Sequence, residues 1–308
     1  MNKKNLIGNL LLLISAAVWG GGYLANAAAI KHIGVFTYET LRMAMGGLML
    51  LPLALYSTSK EKKNPNIPKD KGRLILGGIC CGVALVFASA LQGFGLLYTT
   101  PGKGSFIASL YIVMVPLMTA FIKRKFPDLL VWAGVIVAVI GFGFLSLGSG
   151  FEKINPGDLI MLACAAVYSC QIYLLGVLSP KVNTVALACI EFFAASGTAL
   201  VLALIFDKIS LVTIGQALLP LLYAGIISGG IGFTLQAVAL KMTDPSIGSL
   251  IMSLESVFAL LFAWIITNET LLAREYIGCA LVFAAVIISQ FPTEKLKIIK
   301  QTKKHIPR

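Results

Sequence analysis

Two stretches of this chain, 144 residues apart, repeat one another. Residues 91–110 read LQGFGLLYTTPGKGSFIASL and residues 235–254 read LQAVALKMTDPSIGSLIMSL, with ten identical positions and no gap. Both copies are almost wholly apolar, and each contains a break, at Pro101 in the first and at Pro245 in the second. A repeat of this length at a fixed offset indicates two copies of one structural unit.

The composition is that of a membrane protein. Hydrophobic residues make up 58% of the 308-residue chain and charged residues 12%, whereas a soluble domain carries roughly 25% charged residues. Apolar runs of about 20 residues, each long enough to cross a hydrocarbon core of about 30 Å as a helix, recur from end to end. We therefore predict an all-α integral membrane protein with ten transmembrane helices, at residues 6–30, 35–56, 73–97, 103–122, 129–148, 157–178, 184–206, 217–240, 246–266 and 273–291.

The repeat continues outside the two quoted stretches. At the same offset Gly134 matches Gly278, and the first span resembles the sixth, where Trp19 matches Tyr168. The chain thus divides into two five-span units, residues 1–150 and residues 151–308, the second of which ends in a basic tail. Because each unit has an odd number of spans, we predict that the second enters the membrane inverted, as the repeats of many secondary transporters do.

The positive charge, +12 in net, is distributed unevenly. Under the span assignment above, 19 of the 25 Lys and Arg residues fall on one side of the membrane, including those of the tail from Lys295 onward. The positive-inside rule then predicts that both termini are cytoplasmic, in a multi-pass protein of the cytoplasmic membrane. Lys103, on the opposite side, is interpreted as a topology charge, with a role in substrate entry as the alternative. The tail is expected to lie near anionic lipid headgroups. No basic domain outside the spans and the tail could bind nucleic acid, so that class of function is not expected.

A set of short motifs resembles one family. Trp19 and Gly20 in the first span, Arg42 in the second, the two proline turns, and the run TNETLLAREYIG at residues 267–278 resemble the ten-span type of the EamA family, in the drug/metabolite transporter superfamily. The resemblance covers nearly the whole chain. It implies a secondary transporter for small metabolites, amino acids or similar solutes, which are commonly moved outward.

The chain departs from the wider superfamily in two ways. Glu269 is matched by Lys125 in the first half, so the glutamate at this repeat position exists only once. The first span carries no acidic residue, so the membrane glutamate that drives small four-span relatives has no counterpart here. Proton coupling by that route therefore cannot be transferred to this chain.

Ionisable side chains within spans are candidate functional residues, because each costs several kcal/mol unless it is paired or hydrated. Glu255 is predicted to lie near the midplane of the ninth span, and its repeat mate is Tyr111. Repeat-related positions at the midplane are where such folds bind substrate. An acid facing a phenol suits an amine with an apolar or aromatic body. The alternative for Glu255 is a structural hydrogen bond to Gln92, Gln236 or a serine.

Two further acids lie within spans. Glu39 and Arg42 are three residues apart on one helical face. They are either a clamp for a zwitterionic or anionic substrate or a self-neutralising pair. Glu191 has no cation within a helical turn, so it needs a partner from another helix, water, or its neutral form. Glu191 and Glu255 are the candidates for possible proton coupling.

Uncharged candidates come in repeat-related pairs. Gln92 and Gln236 are identical mates, and an amide inside a membrane must find hydrogen-bonding partners, either across a cavity or between helices. Trp19 and Tyr168 are mates well inside their spans and are predicted to form an aromatic cavity wall. These residues complete the predicted substrate site.

Two other classes of function remain as alternatives, a passive channel or facilitator and a membrane-embedded enzyme. An enzyme is not expected, since the histidines are His32 in a loop and His305 in the tail, and no HExxH motif occurs. The cysteines lie in apolar spans without a CxxC pair, which predicts neither a metal site nor a disulfide framework, and no cofactor is expected. They are Cys80, Cys81, Cys164, Cys170, Cys189 and Cys279.

Overall fold

The computed structural model describes residues 3–61, 70–124, 126, 129–146, 155–239, 242, 248 and 251–290. The loop at 62–69, Lys125, the turn at Pro245 and the basic tail lie outside the described residues. Every regular element within the described ranges is helical. The helices are α1 (Lys3–Ala29), α2 (Val35–Glu61), α3 (Lys71–Leu96), α4 (Pro101–Ala108), α5 (Tyr111–Ile122), α6 (Leu129–Ser146), α7 (Pro156–Leu178), a 3₁₀ turn (Ser179–Lys181), α8 (Thr184–Phe206), α9 (Leu211–Gln216), α10 (Leu218–Leu222), a π-helix (Tyr223–Gly232), α11 (Phe233–Ala239), α12 (Glu255–Thr267) and α13 (Ala273–Gln290).

Eight helical stretches are long and apolar enough to cross a membrane, and they coincide with the first eight predicted spans. The chain is therefore an all-helical membrane protein in its described part. The ninth predicted span, residues 246–266, is represented by the 13-residue helix α12, and the tenth by α13. The count of ten spans stays a prediction at these two positions.

The fourth span is not the continuous helix that its sequence predicts. Ser109 and Leu110 form a tight turn between α4 and α5, in which the Leu110 amide donates to the Ile107 carbonyl at 3.1 Å. The Ser109 hydroxyl donates to the Phe106 carbonyl at 2.7 Å and so competes with the regular helical bonding. A turn at residues 253–254 likewise precedes α12. As a result, the repeat mates Tyr111 and Glu255 each begin a helix.

The eighth span contains an irregularity of its own. Ten residues, Tyr223–Gly232, form a π-helix between α10 and α11. This segment packs against α1 and α2. π-Helical turns are frequent at functional sites, because the wider turn redirects side chains and carbonyl groups. Here it brings the Ser228 carbonyl to α1, as described below.

The two halves pack against each other through repeat-related helices. The second span (α2) packs along the seventh (α8), and the fifth (α6) packs along α13. In the second of these contacts a Cβ at Gly134 would lie 3.1 Å from the Ala285 carbonyl, and one at Gly278 would lie 2.9 Å from the Gly141 carbonyl. Glycine at both mates therefore allows the close approach.

One end of the bundle is defined by buried charges. Lys103 Nζ lies 2.7 Å from Asp158 Oδ2 and 3.6 Å from Glu275 Oε1. The Asp207 carboxylate accepts hydrogen bonds from the backbone and the hydroxyl of Thr37 at the same end, at 2.6 and 2.8 Å. We call this the Lys103 end. The Asn26 end of α1 points toward it, whereas the start of α8 lies at the opposite end.

Candidate functional site

A cavity of about 620 Å³ lies between the two halves. Helices of both halves contribute to its wall, from α1, α2, α3 and α5 in the first and from α7, α8, the π-helix, α11 and α12 in the second. Ligand sites for small molecules have volumes of roughly 300–1,000 Å³. The cavity is therefore large enough for a small metabolite.

The structure brings most of the predicted site residues together around this cavity. Glu39 is the exception, because it is fully buried behind Arg42 and does not line the wall. The other eight candidates all line it, and their role in binding stays a prediction. They are Trp19, Arg42, Gln92, Tyr111, Tyr168, Glu191, Gln236 and Glu255.

One face of α1 forms a continuous part of the wall. Trp19, Gly22, Tyr23 and Asn26 line the cavity, and their spacing of three, four and seven residues places them on one helical face. The Trp19 indole N–H donates to the Ser228 carbonyl at 3.1 Å, so this polar group is already satisfied. Trp19 therefore offers the cavity an aromatic surface.

Glu255 lies against this face because α1 and α12 approach closely. A Cβ at Gly20 would be 2.8 Å from the Glu255 carbonyl oxygen, so a side chain at Gly20 would separate the two helices. The Glu255 side chain is half-buried and lines the cavity. It has neither a hydrogen bond nor an ion pair with another residue in the described ranges. The structural hydrogen bond that sequence reasoning allowed is absent from those ranges.

Arg42 is paired within its own helix. Its Nη2 and Nε atoms donate to the same Glu39 oxygen, Oε2, at 2.7 and 3.2 Å. Its guanidinium also lies 5.7 Å from the centre of the Tyr38 ring. The Arg42 side chain is 21% exposed, whereas that of Glu39 is 0% exposed. This geometry matches the self-neutralising pair, although Arg42 still forms part of the wall.

Polar groups of α3, α7 and α8 are linked in pairs. The Tyr168 hydroxyl donates to Gln92 Oε1 at 3.0 Å, and the Gln171 amide donates to Glu191 Oε1 at 2.5 Å. The partner that Glu191 requires is thus supplied by a neighbouring helix. Gln236, the mate of Gln92, has no hydrogen bond with a described residue. The two mates therefore differ in what they offer to the cavity.

Sequence reasoning missed several wall residues. Asn26 is 3% exposed, and its Oδ1 atom has no hydrogen-bond partner. The helical spacing from Trp19 was a signal for Asn26. Gln171 was visible as an amide within a span. Tyr38, one residue before Glu39, is 1% exposed and gave no separate signal.

The described residues contain no group of three His, Cys, Asp or Glu side chains that could hold a metal ion. The wall instead combines aromatic rings, amides and a few charged groups. Such a surface is suited to holding a small organic molecule reversibly.

Comparison with known proteins gives a family. The profile of the EamA-like transporter family matches this chain in two segments, residues 6–147 and 155–291. A relative from Archaeoglobus fulgidus, described as an uncharacterized transporter, is 30% identical over 92% of this chain and 86% of its own length. The threonine/homoserine exporter RhtA of Escherichia coli is 25% identical over 95% of this chain and 94% of its own length.

A solved crystal structure has a similar fold. It superposes with a TM-score of 0.63 at 18% sequence identity, over 92% of this chain and 96% of that one. At this identity the likeness concerns the fold alone. The match of the family profile and the archaeal relative carry the assignment. This chain therefore belongs to the EamA-like transporter family.

Proposed function

We propose that this protein is a secondary transporter that moves small metabolites by alternating access, with the central cavity as its substrate site. In this proposal ten spans form two inverted units, residues 1–150 and 151–308. The observation that carries it is that repeat-related residues of both halves line one cavity. These mates are Trp19 and Tyr168, Gln92 and Gln236, and Tyr111 and Glu255.

Alternating access follows from inverted repeats, because two similar halves can exchange conformations and so open the pathway to opposite faces. We take the Lys103 end as the closed one, because Asn26 and Tyr38 are 3% and 1% exposed there. Toward the other end the wall is mixed, since Ile172 and Leu175 are half-buried, whereas Gln171 and Glu191 are buried. If the protein lies in the cytoplasmic membrane and both termini are cytoplasmic, the closed end faces the outside of the cell.

The substrate is a small metabolite, such as an amino acid or a similar solute, and net transport is outward. The similarity to a threonine/homoserine exporter supports this direction and size. If transport is coupled to protons, Glu255 and Glu191 are the acids that carry them, since both line the cavity. An imposed pH gradient then drives accumulation, and Glu191→Gln or Glu255→Gln abolishes that response.

Counterflow in liposomes tests the proposed function. Vesicles loaded with an unlabelled mixture of amino acids and amines are diluted into a medium containing trace labelled members of that mixture. A carrier accumulates label transiently above its equilibrium level, and Glu255→Gln removes this overshoot while the protein stays inserted. A passive channel lets the label equilibrate without an overshoot. Absence of an overshoot for every labelled compound contradicts the proposal.

A further inference from the structure

We propose that the cavity binds an organic cation, with an ammonium group at Glu255, a hydrogen-bond donor at Asn26 and an apolar or aromatic body between them. This inference rests on the proposed function, because it names the substrate class of the same site. It is carried by the unpartnered groups of the wall and by their charge.

The charges of the described wall do not balance. Arg42 is the cation among the described lining residues, and Glu39 neutralises it through two hydrogen bonds to one carboxylate oxygen. Two further carboxylates line the cavity, Glu191 and Glu255. Glu191 has an amide partner in Gln171, whereas Glu255 has no partner among the described residues. A carboxylate inside a membrane protein is stabilised by a compensating cation or donor, or by taking up a proton. A positively charged ligand supplies it.

Asn26 provides a second unmet acceptor. Its side chain is 97% buried, lines the cavity, and leaves Oδ1 without a hydrogen bond. Buried polar atoms of native proteins are normally paired, and this atom lies just beneath the cavity surface, so a rotation of the amide would let it accept a hydrogen bond from a donor on the ligand. The backbone carbonyl of Glu255 lies against α1 at Gly20, and Asn26 is six residues further along, which corresponds to about 9 Å of helix between the two backbone positions.

The surface between these two acceptors is aromatic. Tyr23 lies between Gly20 and Asn26 on the cavity face of α1, and Tyr111 and Tyr168 also line the cavity, with ring centres 6.3 Å apart. The Tyr168 hydroxyl is already committed to Gln92. Aromatic faces attract ammonium groups and also pack against apolar or aromatic bodies. The wall therefore suits a compact amine better than a highly polar one.

The same geometry disfavours a free carboxylate on the ligand. The cation of the described wall is already satisfied by Glu39, and an added carboxylate would lie near Glu255. Like charges at such a site destabilise binding. An amine without a carboxylate should consequently bind more tightly than the corresponding zwitterionic amino acid, and the corresponding acid without an amine should bind least.

Four matched probes test this order: tyramine, phenethylamine, tyrosine and 4-hydroxyphenylacetate. The shift in melting temperature of the purified, detergent-solubilised protein measures binding, because a ligand that binds only the folded form raises its stability. We expect the largest shift with tyramine, a smaller one with phenethylamine, which lacks the distal donor, a smaller one still with tyrosine, and none with 4-hydroxyphenylacetate, each at about 1 mM, where tyrosine is still soluble.

Variants assign the two contacts. Glu255→Gln should abolish the shift with both amines, and Glu255→Asp should retain part of it. Asn26→Leu should remove the difference between tyramine and phenethylamine without abolishing binding. Asp70→Asn, which alters an exposed carboxylate at the start of α3, should leave all the shifts unchanged. Every shift is taken relative to the same variant without ligand, so altered stability of a variant does not affect the comparison.

A shift with tyrosine or 4-hydroxyphenylacetate equal to or above that of tyramine overturns the inference, as does the absence of any shift with tyramine. Retention of the tyramine shift in Glu255→Gln also overturns it. None of these outcomes affects the proposed transport function, since melting temperatures report binding and do not require movement across a membrane. Transport is tested separately by the counterflow experiment and by the accessibility measurement described below.

Discussion

The two ends of the helical bundle are held together by different interactions. At the Lys103 end a lysine with only 8% of its surface exposed is paired with Asp158, which is fully buried, and with Glu275. Glu269, 9% exposed, accepts hydrogen bonds from the backbone amides of Gly102 and Lys103 at the start of α4. These contacts tie the fourth span to the sixth and to the connection between α12 and α13.

The described residues of the opposite end make weaker contacts. The Asn183 amide donates to the Ser57 hydroxyl at 2.9 Å, which links the end of α2 to the start of α8. The ion pair described at this end, Arg73 with Asp70, lies within one helix turn, and both side chains are nearly half exposed. Such exposed pairs contribute little to stability.

The sequence repeat shows which residues cause this difference between the two ends. At the positions that correspond to Lys103, Asp158 and Glu275 in the other half, the sequence has Ile247, Asn9 and Val131. The ionic cluster therefore exists once. Two halves with a repeated sequence can thus differ in the interactions at their ends. We expect this asymmetry to favour conformations that are closed at the Lys103 end.

The strongest test of this comparison is Lys103→Met. It leaves Asp158 and Glu275 without their cation, and removing one partner of a buried ion pair costs about 3–5 kcal/mol. We expect a clear fall in the melting temperature of the purified protein. An unchanged melting temperature would show that the cluster does not stabilise this end.

A smaller effect is expected from Glu269→Gln. The amide oxygen can still accept one of the two hydrogen bonds from the start of α4, but the amide nitrogen cannot accept the other. The favourable interaction of the carboxylate with the helix N-terminus is also lost, and the two losses together are worth about 1–2 kcal/mol. Equilibrium unfolding in denaturant measures this difference. A loss as large as that of Lys103→Met would mean that Glu269, and not the lysine cluster, dominates at this end.

The smallest effect is expected at the opposite end, from Ser57→Ala. This change removes one partly buried hydrogen bond between neutral groups, worth about 1 kcal/mol or less. The same unfolding measurement compares it with the two variants above. A destabilisation equal to that of Lys103→Met would contradict the proposed difference in stability between the two ends.

Much of the architecture was predictable because apolar length and repeat symmetry are local or register-based signals. These signals located the first eight spans, and they led to the prediction that Trp19, Gln92 and Glu255 belong to one site. The turn at Ser109 was not predicted, because hydrophobicity does not report a serine that competes for helical bonding. The π-helix was missed for a similar reason.

Contacts between distant segments were the least predictable. Lys103 was interpreted as a topology charge, since its two acidic partners are 55 and 172 residues away in the chain. The pairing of Glu191 with Gln171 and the unmet acceptor of Asn26 depend on how helices rotate about their axes. A sequence period defines a face of a helix, but not which neighbour that face contacts.

The proposed mechanism requires one cavity that opens to both sides of the membrane. A single cysteine at Ile112, on the cavity wall, in a variant without the six native cysteines, tests this claim with a membrane-impermeant thiol reagent. A cysteine at Ile136, which is 59% exposed on the outer surface of α6, is the control and should not react from either side.

We predict that the cysteine at Ile112 reacts in both right-side-out and inside-out vesicles, faster from the side opposite to the Lys103 end. Adding Lys103→Met should raise the rate from the Lys103 side. Reaction from one side only, with and without Lys103→Met, would contradict alternating access.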